Sequence, residues 1–147
     1  MGTTTFSGPV KAGTIREGAS ANAGFALMAQ SANITFAADG TTTVVARIPA
    51  NSQIFQITVD VTTAFNAGSA NTLDIGDGTT ADKFADALAL GSAARVLATS
   101  DVSQIGNLID IGTSDVAVTT TYNQSGSAAD AGAATVTVLY LQNNNLS

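Results

Sequence analysis

The chain contains no cysteine, no histidine and no tryptophan among its 147 residues. Without histidine it cannot form a Ser-His-Asp or Cys-His catalytic arrangement or a histidine-ligated metal site. Without cysteine it lacks thiolate nucleophiles, sulfur-ligated metals and a disulfide framework. Ten aspartates and Glu17 could still supply the carboxylate pair of a glycosidase. Sugar sites normally use aromatic platforms, however, and Tyr122 and Tyr140 are better interpreted as strand residues, so we expect no enzyme and no cofactor.

Charge is scarce as well, because only 11% of the residues are Asp, Glu, Lys or Arg. The surface must therefore consist largely of Thr, Ser, Asn, Gln and Gly, which is typical of extracellular and virion β proteins. The net charge of -6 repels phosphate backbones, so nucleic acid is not an expected partner. The length suits one domain with a real core.

Long hydrophobic runs are missing too. The apolar run at residues 23–29, AGFALMA, is too short to span a bilayer. Glu17 lies in what would be the charged region of a signal peptide, and the chain still begins at Met1, so we expect a buried strand here. A membrane is not an expected partner.

Residues 53–64, QIFQITVDVTTA, hold the clearest pattern in the chain. Strict alternation over eight residues, rich in β-branched types, predicts a half-buried strand. The apolar face of that strand is predicted to hold Phe55, Ile57, Val59 and Val61.

Before this strand, residues 1–22 form a predicted arm with several glycines. The arm is either a loosely packed terminus or an extended segment that orders on an acidic partner. Its spaced apolar and basic residues are Phe6, Val10, Lys11, Ile15 and Arg16. The Asp39–Gly40 turn dipeptide predicts a hairpin, and residues 34–64 a three-stranded meander.

After it, residues 71–78 predict a short strand and residues 80–90 one short helix, with Phe84, Ala85 and Leu88 on one face. Brief strands are predicted at 95–97, 104–108 and 110–111, and longer ones at 116–122 and 133–141. Together these patterns favour an all-β, antiparallel β-sandwich over residues 23–142, with a short tail at 143–147. A jelly roll is the favoured topology; an up-and-down barrel or an immunoglobulin-like sandwich remains open.

The strand at 133–141 is apolar on both faces. If Leu139 and Leu141 do not lie inside the sandwich, we expect another subunit to cover them. Burying a leucine contributes roughly 1.5–3 kcal/mol, so several such residues favour a homo-oligomer.

Asp74, Asp77 and Asp82 are the only weak candidates for a metal site. Hard cations bind closely spaced carboxylates, but Ile75 and Gly76 break the alternation of an EF-hand loop and no Glu closes it. We expect an acidic turn whose carboxylates accept local backbone hydrogen bonds, stable without calcium.

The segment at 48–88, IPANSQIFQITVDVTTAFNAGSANTLDIGDGTTADKFADAL, resembles one that recurs in small virion proteins of tailed bacteriophages. The opening TFSGPVKAGTIREG resembles the start of such proteins. The resemblance implies a capsid decoration (cement) protein that binds the major capsid protein on the outside of the shell and stabilises it. Homo-oligomers are implied, with a trimer favoured. A tail or fibre receptor-binding (adhesin) domain is the alternative, although the chain has no room for a stalk or repeats; a carbohydrate-binding module would need more aromatic residues.

Overall fold

The computed structural model describes residues 25–98 and 109–143 of the chain. Within these two ranges there are nine strands, one 3-10 turn and no α-helix. In chain order the elements are β1 Phe25–Thr35, the 3-10 turn Phe36–Ala38, β2 Thr42–Ile48, β3 Gln53–Thr63, β4 Ala70–Gly76, β5 Ala85–Ala89, β6 Arg95–Leu97, β7 Ile109–Asp110, β8 Val116–Ser125 and β9 Ala133–Asn143.

The strands form two sheets. The first has the order β1-β9-β3-β6, with the two-residue β7 also paired to β3, and the second has the order β2-β8-β4-β5. Every strand pair is antiparallel. With β7 set aside, eight strands remain, divided between two four-stranded sheets in the order of a jelly roll. The predicted antiparallel sandwich with jelly-roll topology is therefore confirmed.

The core lies between the two sheets, and β3 supplies much of it. Ile57 and Val59 are fully buried, as are Val118 and Tyr122 of β8 in the opposite sheet. The ring of Tyr122 packs on Phe65, with the ring centroids 4.7 Å apart. Such tilted aromatic pairs add stabilisation beyond the area that they bury. As predicted, Tyr122 and Tyr140 are strand residues.

β3 begins at the predicted residue, but one of its side chains does not lie on the predicted face. Ile54 pairs with Tyr140 and Gln56 with Leu139, so β3 has one extra residue at Phe55. This β-bulge leaves Phe55 54% exposed and places Ile54 in the core instead. The prediction that Phe55 shares the buried face of Ile57 was wrong.

Residues 80–90, predicted as a helix, contain no helix: a turn is followed by the strand β5 at Ala85–Ala89. Ala85 and Leu88 are both buried and lie three apart, the spacing that suggested a helix. They pair with Ile75 and Leu73 of β4, which lie only two apart, so β5 also contains a bulge. Ala87 lies within it at φ 50° and donates its N–H to the carboxylate of Asp74.

The predicted meander is also wrong. β1 pairs with β9 in one sheet and β2 with β8 in the other, so these two strands do not form a hairpin. The turn at Asp39–Gly40 exists, and Gly40 has φ 64°. The 3-10 turn before it rotates the chain, and Asp39 bridges to Tyr122, so the connection crosses between sheets.

The remaining expectations were largely met. Strands occupy the predicted positions of β4, β6, β8 and β9, and β7 begins one residue early. The strand predicted at 104–108, the arm at 1–22 and most of the tail lie outside the described residues, and the domain boundaries stay predictions. None of the helical turns in the described ranges is long and apolar enough to cross a membrane.

Candidate interaction surface

The outer face of the β1-β9-β3-β6 sheet is apolar over one half, called here the apolar half. In the register of the sheet, Leu27 of β1 pairs with Leu141 of β9. Gln56 of β3 pairs with Leu139 of β9, and Phe55 is the residue just before Gln56. Leu27 is 62% exposed and Phe25 is 44% exposed, while the two β9 leucines are half-buried. The apolar half consists of Phe25, Leu27, Phe55, Leu139 and Leu141.

The other half of the same face is polar apart from Leu97 of β6, which is 47% exposed, and its polar side chains bind one another. The hydroxyls of Ser31 and Thr137 lie 2.9 Å apart, in hydrogen-bond contact. Arg95 forms an ion pair with Asp60, and its hydrogen bond lowers the pKa of that carboxyl. These groups have partners within the sheet, so the polar half is a solvated surface, whereas the apolar half is the part of the face that lacks a cover among the described residues.

β1 explains why the apolar half is exposed. The run at 23–29 was predicted to be a buried strand, and its described part is indeed a strand, but most of its side chains are exposed. β1 is an edge strand of its sheet, and its register places Leu27 and Ala29 beside Leu141 and Leu139, so that these residues and Phe25 point away from the sandwich. The expectation of burial was therefore wrong, because no second layer covers this face within the described chain.

Leu139 and Leu141 lie where the alternation of β9 predicted them. Val136, Val138 and Tyr140 point into the core, so the two leucines face outward. Their proposed role in subunit or capsid contact remains a prediction.

The other candidate contact residues are Phe6, Val10, Lys11, Ile15 and Arg16, and they lie outside the described residues. The described chain begins at Phe25, which itself belongs to the apolar half. The segment that carries these candidates therefore joins the sandwich at that surface.

Sequence reasoning missed Phe25, Leu27 and Phe55. The alternation within β1 was visible, but whether an alternating apolar face is buried depends on what packs on it, and that is a property of the whole fold. Phe55 was missed because a bulge is not visible in an alternating pattern.

The acidic turn behaves as a structural turn. Asp77 accepts hydrogen bonds from the backbone N–H groups of Thr79 and Thr80 and from the Lys83 ammonium at 2.6 Å. The bond from Lys83, with the backbone bonds from Thr80 and Thr79, lowers the pKa of Asp77 to about 2. Asp74 is bound by Ala87 and Asn123.

Asp74 and Asp77 are thus engaged by different partners. Asp82 is exposed and does not join the network of Asp77. Over the described ranges, no group of three acidic side chains is arranged to hold a metal ion.

Comparisons with known proteins give a consistent picture of the fold. No protein-family model matches the chain, and no curated protein matches it in sequence. Among solved structures it is similar to a chain of the cyanophage Pam1 capsid asymmetric unit, with a TM-score of 0.63 at 18% identity, over 90% of this chain and 96% of that one. A chain of the capsid of Ralstonia phage GP4 gives a TM-score of 0.54 at 18% identity, over 90% and 94%. A chain of the acid-stable capsid of Helicobacter pylori bacteriophage KHP30 gives 0.51 at 19% identity, over 79% and 87%. At such identities the likeness concerns the fold, so the jelly roll described here is one that chains in three bacteriophage capsid structures share.

Proposed function

We propose that the protein is a structural virion protein that binds the outer surface of a tailed-bacteriophage capsid and stabilises the shell. Its partners are the major capsid protein and further copies of itself, with a trimer favoured. This proposal joins the fold likeness to the resemblance in residues 48–88 and at the opening of the chain.

The observation that carries the proposal is the extent of the likeness to the Pam1 capsid chain. It covers 90% of this chain and 96% of that one, so the two have nearly the same extent as well as the same strand arrangement. Two further capsid structures, from phages of different hosts, contain chains of the same fold.

The physical character of the molecule supports the same role. A protein that reinforces a shell needs a rigid body and a surface that another protein covers. The sandwich supplies the first, and the apolar half supplies the second, because contiguous exposed apolar surface marks interaction sites. A ligand that binds only the assembled shell stabilises it by mass action.

The proposed contact residues come from two parts of the chain. Leu139 and Leu141 belong to the apolar half. Phe6, Val10, Lys11, Ile15 and Arg16 precede the sandwich, and the two basic residues would favour an acidic lattice.

The experiment that tests this proposal is cryo-electron microscopy of the phage particle that co-purifies with the protein. We expect density with the shape of the sandwich at repeated positions on the outside of the head. Density confined to the tail would overturn the proposal in favour of the receptor-binding alternative.

A second measurement tests stabilisation directly. Capsids stripped of the protein should lose their contents at a lower temperature than capsids to which it has been added back. A Leu139→Ser/Leu141→Ser variant should protect them less than a Val44→Ser variant, because Val44 is an exposed residue of the opposite sheet. If capsids with and without the protein lost their contents at the same temperature, the stabilising role would be refuted.

A further inference from the structure

The apolar half is exposed apolar surface that no other part of the described chain covers. Its three exposed members, Phe25, Leu27 and Phe55, come from two strands on either side of β9. Between them lie the half-buried Leu139 and Leu141. The four-strand face is therefore apolar at the end where β1 begins and polar at the end where β1 finishes.

The chain itself supplies a candidate cover, because 24 residues precede β1 and join it within the apolar half. This N-terminal segment contains three spaced apolar anchors, Phe6, Val10 and Ile15. The ten residue steps from Ile15 to Phe25 reach about 33 Å when extended, at roughly 3.3 Å for each residue. That reach exceeds the width of the sheet, so the anchors can meet the surface of an adjacent molecule.

Charge complementarity favours the same occupant. The described ranges contain nine aspartates and only three basic residues, Arg47, Lys83 and Arg95. The N-terminal segment carries Lys11 and Arg16 beside its apolar anchors, with Glu17 its one acidic residue. The segment is thus the basic part of an acidic chain.

β1 adds a main-chain site. It is an edge strand that pairs only with β9 among the described residues, so its other edge has N–H and C=O groups available. Extended segments bind such edges by adding a strand, with side chains on one side filling apolar positions. The edge borders Phe25 and Leu27, so a segment added there would bring its own side chains beside these two residues and could continue across the rest of the apolar half.

We propose that the apolar half is the seat for the N-terminal segment of a neighbouring copy of this chain. β1 runs along the sheet away from Phe25, so the segment before it leads off the end of the sheet. To cover the apolar half of its own molecule, the segment would have to turn back at Phe25. It can reach the apolar half of a neighbouring molecule without turning back. Passing each segment to the next copy is a heterologous contact, and such contacts form a ring where the rotation between copies closes, as in the proposed trimer. The inference deepens the proposed function, since it rests on the homo-oligomer proposed there, but it does not depend on the capsid.

Disulfide trapping in the free protein tests the exchange, and the natural absence of cysteine makes each introduced pair unique. Val10→Cys is combined with Phe55→Cys, and the matched control combines it with Val44→Cys. Val44 is 44% exposed, close to the 54% of Phe55, but it belongs to the opposite sheet. We expect the Phe55 pair to give disulfide-linked oligomers on a non-reducing gel and the Val44 pair to give few.

Three results would overturn the inference: an intrachain bond that leaves only monomer bands, equal cross-linking of both pairs, and a chain that is monomeric by light scattering. Failure of the protein to bind capsids would overturn the proposed function instead, and would leave the cross-links unaffected.

Limited trypsin digestion is a second test that needs no introduced cysteine, because the segment contains cleavage sites at Lys11 and Arg16. A Leu27→Ser/Phe55→Ser variant should be cut there at least tenfold faster than the parent. In the proposed contact the segment buries these side chains, and losing the burial of even one of them weakens the contact about tenfold. Val44→Ser should be cut at the parental rate. Equal rates for all three proteins would contradict the proposed seat.

Discussion

The side-chain amide of Gln30 binds both backbone groups of Arg47, as a neighbouring strand would. Its Oε1 accepts the Arg47 N–H at 2.9 Å, and its Nε2 donates to the Arg47 carbonyl at 2.7 Å. The same Nε2 lies 3.0 Å from the hydroxyl of the buried Tyr140. Gln30 is in β1 and Arg47 in β2, and each of these strands is an edge strand of its sheet. One side chain therefore joins an edge of one sheet to the adjacent edge of the other.

Replacing Gln30 with Met should lower the free energy of unfolding by about 1–3 kcal/mol, because the Arg47 backbone groups and the Tyr140 hydroxyl lose partners. Urea unfolding at fixed protein concentration measures this. Ser31→Ala is the control, since the Ser31 hydroxyl binds an exposed Thr137 hydroxyl and should contribute less than 1 kcal/mol or so. Equal losses in the two variants would mean that core packing alone holds the edges together.

The acidic turn should make stability fall at low pH. The pKa of Asp77 is lowered to about 2 in the folded chain, chiefly by the hydrogen bond from Lys83. A carboxyl whose folded pKa is depressed stabilises the fold above its unfolded pKa, near 4, and that contribution is lost as the pH falls towards 2.

The Asp77 side chain is 13% exposed but that of Lys83 is 50% exposed, so solvent screening limits the contribution to at most about 2 kcal/mol. Asp77→Asn should therefore be less stable than the parent at pH 7, and the two should converge near pH 2. Denaturant midpoints at several pH values measure this. Lys83→Met, which removes the main cause of the shift, should reproduce part of the effect. A parallel fall for parent and Asp77→Asn would contradict it.

Ala87 occupies a backbone conformation that suits glycine. Its φ of 50° lies in the left-handed region, at the bulge where β5 has one residue more than β4. Such a conformation costs a residue with a Cβ on the order of 1 kcal/mol. Ala87→Gly should therefore leave the protein as stable or up to about 1 kcal/mol more stable.

Ala89→Gly is the matched control. Ala89 is an exposed alanine of the same strand and does not have a positive φ. Its replacement should destabilise the protein by about 0.5–1 kcal/mol, because glycine loses more backbone entropy on folding. Thermal unfolding compares the two variants, and an equal destabilisation would mean that Ala87 is not strained.

Bulges also explain where sequence reasoning failed. The strands β3, β4, β8 and β9 could be predicted because alternation marks them directly. A bulge adds one residue to a strand and converts the spacing of buried residues from two to three. In β5 that spacing imitated a helix through Ala85 and Leu88, and in β3 it moved Phe55 to the surface.

A third bulge lies in β2, where Val45 and Ala46 are both buried although neighbours in sequence. The sequence contains no local mark of these three shifts. They follow from how each strand meets its partner, and only the fold defines that partner.

Strand pairing could not be predicted from the sequence for a related reason. The Asp39–Gly40 dipeptide correctly predicted a turn with a positive φ at Gly40. It could not show that β1 would pair with β9, more than 100 residues away, because such pairing depends on the closure of the whole sandwich. For the candidate surface, Leu139 and Leu141 could be predicted from β9, but the exposed residues beside them could not.

The N-terminal segment should be dispensable for the fold and necessary for assembly. Among the described residues, the buried core runs from Ile34 to Tyr140, so we expect it to persist when residues 2–18 are deleted. We expect the truncated chain to unfold cooperatively, at nearly the temperature of the parent when both are dilute, because an oligomer then contributes little stability. Circular dichroism and calorimetry measure this.

The same deletion should abolish the oligomer in light scattering and weaken attachment to capsids in co-sedimentation. A Lys11→Ser/Arg16→Ser variant separates the charged contacts from the apolar contacts of the segment, since it loses both basic residues and retains Phe6, Val10 and Ile15. It should bind capsids less tightly, and its binding should depend less on salt concentration, because surface charge pairs are screened. A truncated chain that does not fold would show that the segment is part of the sandwich. Full occupancy on the capsid without residues 2–18 would show that the sandwich alone carries the contact.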